Sequence, residues 1–128
     1  MVGHWLLERA LVPQRIVSST ALRARSTAEV VAKSSGFSGK LELNEELYLA
    51  SAGELLNHAR EASDDYHSLM LVAHNPGMED LVRILSGRPE PFPTGALAVF
   101  GADVDSWAAL EPSADARLEH LFRPREME

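Results

Sequence analysis

The stretch Leu69-Met70-Leu71-Val72-Ala73-His74-Asn75-Pro76-Gly77 decides the fold. Its apolar run reads as a buried strand, His74 falls where that strand meets solvent, and Asn75-Pro76-Gly77 turns the chain at once. Met78, Leu81, Val82 and Leu85 follow at i, i+3, i+4 and i+7, and Gly87 with Pro89 closes that helix. The result is a strand-turn-helix unit. A second unit lies upstream. Arg15-Ile16-Val17-Ser18 reads as a short buried strand, and Ser19 or Thr20 can cap a helix whose apolar face is Ala24, Ala28 and Val31. That helix stops at Ser34-Ser35-Gly36. Both units place a polar side chain, His74 or Arg23, just past the carboxyl end of a strand, where open α/β sheets collect their ligands.

The remaining segments fit around these two. Val2, Trp5, Leu6 and Ala10 give a helical pattern over residues 2 to 11 that begins without a capping residue, and Pro13 ends it. Leu41-Glu42-Leu43 is a weak strand. Ser51 with Glu54 forms a capping box, so a helix is expected through about Ala62. Ala96-Leu97-Ala98-Val99-Phe100 and Trp107-Ala108-Ala109-Leu110 are close enough in sequence to predict an antiparallel hairpin. The tail from Asp115 fits helix or strand. The expected architecture is α/β, a mixed sheet with helices on both faces in three layers, as a single domain over residues 1–128.

Composition narrows the function classes. Of 128 residues, 45% are hydrophobic and 24% charged, which is ordinary globular usage. With 19 Asp and Glu against 12 Lys and Arg, the formal charge is −7, which disfavours nucleic acid as a partner. There is no cysteine, so neither a disulfide framework nor a thiolate metal site can form. No apolar run reaches a membrane span and the N-terminus lacks the pattern of a signal peptide, so a soluble, cytoplasmic protein is expected. The sequence leaves oligomeric state open.

Arg23 lies in the first turn of its helix, where free N–H groups and the helix dipole already favour an anion and a guanidinium adds a bidentate fork. Arg25 competes for that role, but two residues apart on a helix the two side chains point in different directions. His74 can donate a hydrogen bond to the same anion, with the N-terminus of its own following helix nearby. Glu45 and Glu46, ahead of Tyr48, are adjacent carboxylates of which one could protonate a leaving group. No HxxxH or HExxH spacing occurs, so no metal and no cofactor are expected.

These residues resemble the histidine phosphatase superfamily, phosphoglycerate mutase-like in fold, and within it the small SixA-type phosphohistidine phosphatases. The resemblance rests on Val17 through Glu29, on Glu46-Leu47-Tyr48, on Leu71 through Gly77 and on Pro93-Thr94-Gly95-Ala96, in family order. It implies that Arg23 clamps a phosphoryl group, that His74 donates to its oxygens, and that Glu45 or Glu46 lies in the family's acid region. The implied substrate is a phosphorylated protein carrying phosphohistidine, with a small phosphate ester as the alternative. The family's nucleophile is a histidine in an Arg-His motif at the end of the first strand. Here the histidines follow Gly3, Asn57, Tyr66, Ala73 and Glu119, so none completes that motif. Met1-Val2-Gly3-His4-Trp5-Leu6 is similar to the middle of the family's first helix. The resemblance therefore implies that the 128 residues lack the first strand, which would sit between the strand ending near His74 and the strand around Leu97 to Phe100. Such a chain is expected to bind a phosphoryl group without turnover. It is also expected to be marginally stable, with strand edges that aggregate, dimerise or pair directly across the gap.

Overall fold

Ile16 and Val17 are completely or almost completely buried, and their strand, β1 (Arg15–Ser18), is the middle of a three-stranded parallel sheet. Its neighbours are β2 (Glu42–Leu43) and β3 (Leu69–Val72). Ser18 pairs with Leu43 on one side and with Val72 on the other, so all three strands end level with one another. The computed structural model describes residues 2–111 and 116–123. By backbone packing these form two units, Met1–Tyr48 with Asp65–Ala73, and Leu49–Asp64 with His74–Glu128.

In the first unit, α2 (Leu22–Ser35) buries Ala24, Ala28 and Val31 and packs on β1 and β3. These are the residues that the helical spacing selects. Helix α1 (Val2–Glu8) buries Gly3 and Leu6 and packs on α2 so closely that a Cβ on Gly3 would collide with the Ser34 hydroxyl. At the amino end of β1, Arg15 donates to both carboxylate oxygens of Glu42, at 2.7 and 2.9 Å, and its guanidinium lies 5.7 Å from the Tyr66 ring centroid. The Glu42 hydrogen bond holds the Arg15 guanidinium above its ordinary pKa against a smaller opposing effect of burial.

The second unit is built on α3 (Ala52–Arg60) and α4 (Gly77–Ser86), which pack together. The predicted capping box opens α3: the Ser51 hydroxyl accepts from the Glu54 N–H at 3.2 Å and the Glu54 carboxylate accepts from the Ser51 N–H at 3.0 Å. The latter bond draws the Glu54 carboxyl below its ordinary pKa. Gly77 is required for a packing reason as well as a turn, because a Cβ there would collide with the Ala50 carbonyl oxygen. Strands β4 (Leu97–Ala102) and β5 (Ala116–Phe122) form an antiparallel pair with an irregularity between Val99 and Phe100.

The α/β class and both strand-turn-helix units agree with the sequence reading. Three details differ. Trp107–Ala109 is a short 3-10 turn and not the second strand of a hairpin. Asp64 accepts from the Ser106 hydroxyl and from the Trp107 N–H, and Ser106 in turn accepts from the Ala108 N–H, which winds that apolar run into a turn. The partner of β4 is instead the tail segment, a strand over Ala116–Phe122; Asp115 lies outside the described residues. Among the described residues, parallel and antiparallel pairing also occur in two separate sheets, where the sequence reading expects one mixed sheet. No helix among the described residues is long and apolar enough to cross a membrane.

The end of α1 provides a test of backbone strain. Leu11 N–H donates to the Leu6 carbonyl and Ala10 N–H to the Leu7 carbonyl, a Schellman closure with Ala10 at φ 56°. At the end of α2 the same closure is made by Gly36 at φ 73°, with bonds from Phe37 to Ala32 and from Gly36 to Lys33. An exposed alanine in the left-handed region is strained by its Cβ, and glycine is not. Ala10→Gly should therefore raise stability by about 0.5–1 kcal/mol, read as a higher urea midpoint at unchanged slope.

Candidate functional site

Ser18 and Ser19 are fully buried although both are polar. They sit at the carboxyl end of β1 and tie together the three segments that leave the sheet there. The Ser19 N–H donates to the Val72 carbonyl of β3 at 2.8 Å, and the Ser18 carbonyl accepts from the Asn44 N–H after β2 at 2.9 Å. The Ser18 hydroxyl donates to the Ser19 carbonyl at 2.9 Å, and the Ser19 hydroxyl accepts from the Ala21 N–H at 3.2 Å. The sequence reading took Ser19 or Thr20 as the cap of α2. The helix in fact starts one residue later, with Ala21 in the cap position and no side-chain cap bond.

That start leaves donors open. The Arg25 N–H reaches the Ala21 carbonyl, whereas those of Leu22, Arg23 and Ala24 meet no acceptor among the described residues. The first turn of α2 also carries no acidic residue. Arg23, the second residue of the helix, is exposed and makes no side-chain hydrogen bond or ion pair among the described residues. Arg25 points elsewhere and is held by Glu29 at 3.0 Å, an i,i+4 pair visible in the sequence. Of the two arginines, Arg23 is the one left for an anion.

After β2, the Asn44 carboxamide oxygen accepts from the Glu46 N–H at 2.8 Å and opens a 3-10 turn over Glu45–Leu47. Leu47 is buried and anchors the turn, which leaves Glu45, Glu46 and Tyr48 exposed. All of these residues belong to the first unit. His74 is two residues past the end of β3, is half-buried, and belongs to the second unit. The N-terminus of α4 that follows is not the open anion site expected from sequence. Its Met78 N–H donates to the His74 carbonyl, its Glu79 N–H to the Asn75 side chain at 3.0 Å, and Glu79 and Asp80 add negative charge to the first turn. A cavity of about 140 Å³ farther along α4 is lined by Glu79, Asp80, Arg83 and Glu90. It is predominantly acidic, and Glu90 is already paired with Arg88 and Arg123.

The protein histidine phosphatase SixA complexed with tungstate superposes on this chain with a TM-score of 0.79 at 21% identity, over 99% of this chain and 79% of that one. The fold is SixA-like. A structure assigned to phosphohistidine phosphatase SixA from Agrobacterium tumefaciens gives 0.78 at 26% identity, over 96% of this chain and 75% of that chain. One from Nakamurella multipartitia gives 0.76 at 24%, over 95% and 77%. Among sequence relatives, the uncharacterized protein ML1117 of Mycobacterium leprae (strain TN) is 26% identical over 96% of this chain and 80% of its own length. The uncharacterized protein Rv1276c of Mycobacterium tuberculosis (strain ATCC 25618 / H37Rv) is 28% identical over 91% and 77%. No family model matches the chain.

Sequence reasoning named Arg23, His74, Glu45 and Glu46, took Ser19 only as a possible helix cap, and gave Ser18 no role at the site. The available signal was a pair of small polar residues directly after the apolar Ile16-Val17 of a short strand. Ser19→Ala leaves the Ala21 N–H without its acceptor. It should lower stability by about 1–2 kcal/mol, measured by urea unfolding, and should weaken anion binding with it because the start of α2 is no longer fixed.

Proposed function

We propose that this chain carries a phosphoryl-binding site of the SixA type, whose natural ligand is a phosphorylated histidine on a protein. The observation that carries the reading is the unpaired Arg23 guanidinium beside the three open N–H groups at the start of α2. Such a start is an anion site by charge and by hydrogen bonding together. Support comes from the SixA-like fold and from tungstate, a tetrahedral oxyanion, in the SixA neighbour.

In this reading Arg23 takes two phosphoryl oxygens in a bidentate fork. Glu45 or Glu46 stands near the leaving group, and a phosphoimidazole, with its nitrogen leaving group, needs little help from an acid. The attacking group of the family is a histidine that follows arginine, and no histidine among the 128 residues does so. Without that motif, Arg23 and the open N–H groups bind the phosphoryl group without turning it over.

Binding of inorganic phosphate or tungstate, followed by calorimetry, tests the site. Arg23→Ala should lower affinity by at least about tenfold, as expected for one charge-assisted pair, while Arg25→Ala should leave it near the wild-type value. A chelator should change nothing. Loss of binding with Arg25→Ala and not with Arg23→Ala would refute the assignment.

Catalysis is tested separately. The chain should release no phosphate from a phosphohistidine protein. A fusion placing an apolar strand ending in Arg-His ahead of Met1 should gain turnover that Arg23→Ala abolishes. Phosphate release by the unfused chain would overturn the claim that it lacks a nucleophile.

A further inference from the structure

Three large apolar side chains stand exposed around the end of the first unit's sheet. Leu22 is 78% exposed, Tyr48 53% and Leu43 44%. Leu22 precedes Arg23 at the start of α2, Leu43 is paired with Ser18, and Tyr48 closes the turn that carries Glu45 and Glu46. Backbone bonds keep their segments near Ser18: the Asn44 N–H, next after Leu43, donates to the Ser18 carbonyl at 2.9 Å, the Leu47 N–H, just before Tyr48, donates to the Asn44 carbonyl at 3.2 Å, and Leu22 follows Ser18 after three residues. A cluster of exposed apolar side chains next to an anion site marks a surface that a partner covers.

Charge selects the partner. Glu45 and Glu46 are exposed and make no side-chain ion pair among the described residues, so the surface presents two free carboxylates beside the free guanidinium of Arg23. A second copy of this chain fits poorly, because a two-fold interface on this patch would bring the two acidic turns together in a protein of net charge −7. A small phosphate ester satisfies Arg23 and leaves the apolar side chains in water. A protein segment with basic and apolar residues flanking its phosphorylated side chain satisfies all three features at once.

We infer that Leu22, Leu43 and Tyr48, with Glu45 and Glu46, form the rim that selects a phosphoprotein with basic and apolar flanks over a free small phosphate. This rests on the phosphoryl site proposed above, with Arg23 taking the phosphoryl group and the rim taking the flanking residues.

Three probes separate the rim from the site: inorganic phosphate, and two labelled peptides carrying a stable phosphonate analogue of phosphohistidine, one flanked by Lys and Leu and the other by Gly and Ser. The wild-type chain should bind the Lys/Leu peptide about tenfold more tightly than the Gly/Ser peptide, the scale expected for partial burial of two or three apolar side chains. The double variant Leu43→Ser with Tyr48→Ser should bring the two peptides within about twofold and leave phosphate binding unchanged. Glu45→Lys with Glu46→Lys should remove the preference for the basic flank. Equal wild-type affinity for both peptides, or a preference that survives the Leu43 and Tyr48 changes, would overturn the rim while phosphate binding upholds the site. Failure of the wild-type chain to bind any of the three probes would overturn both.

Discussion

The arrangement at the end of the parallel sheet depends on two buried serines. Ser18 and Ser19 lie where the central strand must release its chain while both neighbouring strands are still paired with it. A buried backbone group that stops pairing within a sheet needs another partner. Here the Ser19 N–H extends the ladder to Val72, and the Ser18 carbonyl extends it to Asn44. The two hydroxyls satisfy the Ser19 carbonyl and the Ala21 N–H. A larger side chain would not fit at full burial and an apolar one would leave those groups unpaired. The start of α2, and with it Arg23, is therefore fixed by hydrogen bonds made before the helix begins.

An acidic chain can still present a helix start that is open to an anion. A net charge of −7 is a property of the whole chain, whereas an anion is held by the donors and the cation that contact it directly. The two helix starts that the sequence presents as equivalent differ in this respect. Helix α2 opens with no acidic residue and with three N–H groups unengaged among the described residues. Helix α4 opens with Glu79 and Asp80 and spends its donors on His74 and Asn75. Asn75 also donates to the Phe92 carbonyl, and Glu79 accepts from the Phe92 N–H, so the first turn of α4 is committed to holding the loop that leads to β4. The same kind of helix terminus is thus left open in one unit and used for packing in the other.

Arg23 and Arg25 illustrate the same division at the level of single residues. They are chemically identical and two positions apart, which on a helix turns them roughly 200° from one another. Glu29 lies four residues beyond Arg25 and takes its guanidinium, while Arg23 has no carboxylate at the corresponding distance, since position 27 is Thr27. The fold shared with SixA at 21–26% identity keeps the framework on which such choices are made, and the chemistry follows from the residues placed on it.

The sequence by itself determined the elements whose signals are local. The limits of β1 and the Gly36 stop of α2 followed from apolar runs and a left-handed terminator, and the capping box of α3 from two residues three apart. The position of Arg23 in a first turn was also legible. Tertiary structure alone decided the partner of β4. The unbroken apolar run Trp107 to Leu110 was wound into a 3-10 turn by Asp64, far away in sequence, and the alternating segment Ala116–Phe122 took the edge instead. It likewise decided that the donors of α4 are engaged and that Ser18 and Ser19 are buried. Capping, helix period and strand period are enforced by groups within a few residues of each other. Which donor meets which acceptor across tens of residues is fixed only when the packed chain removes water as the alternative partner.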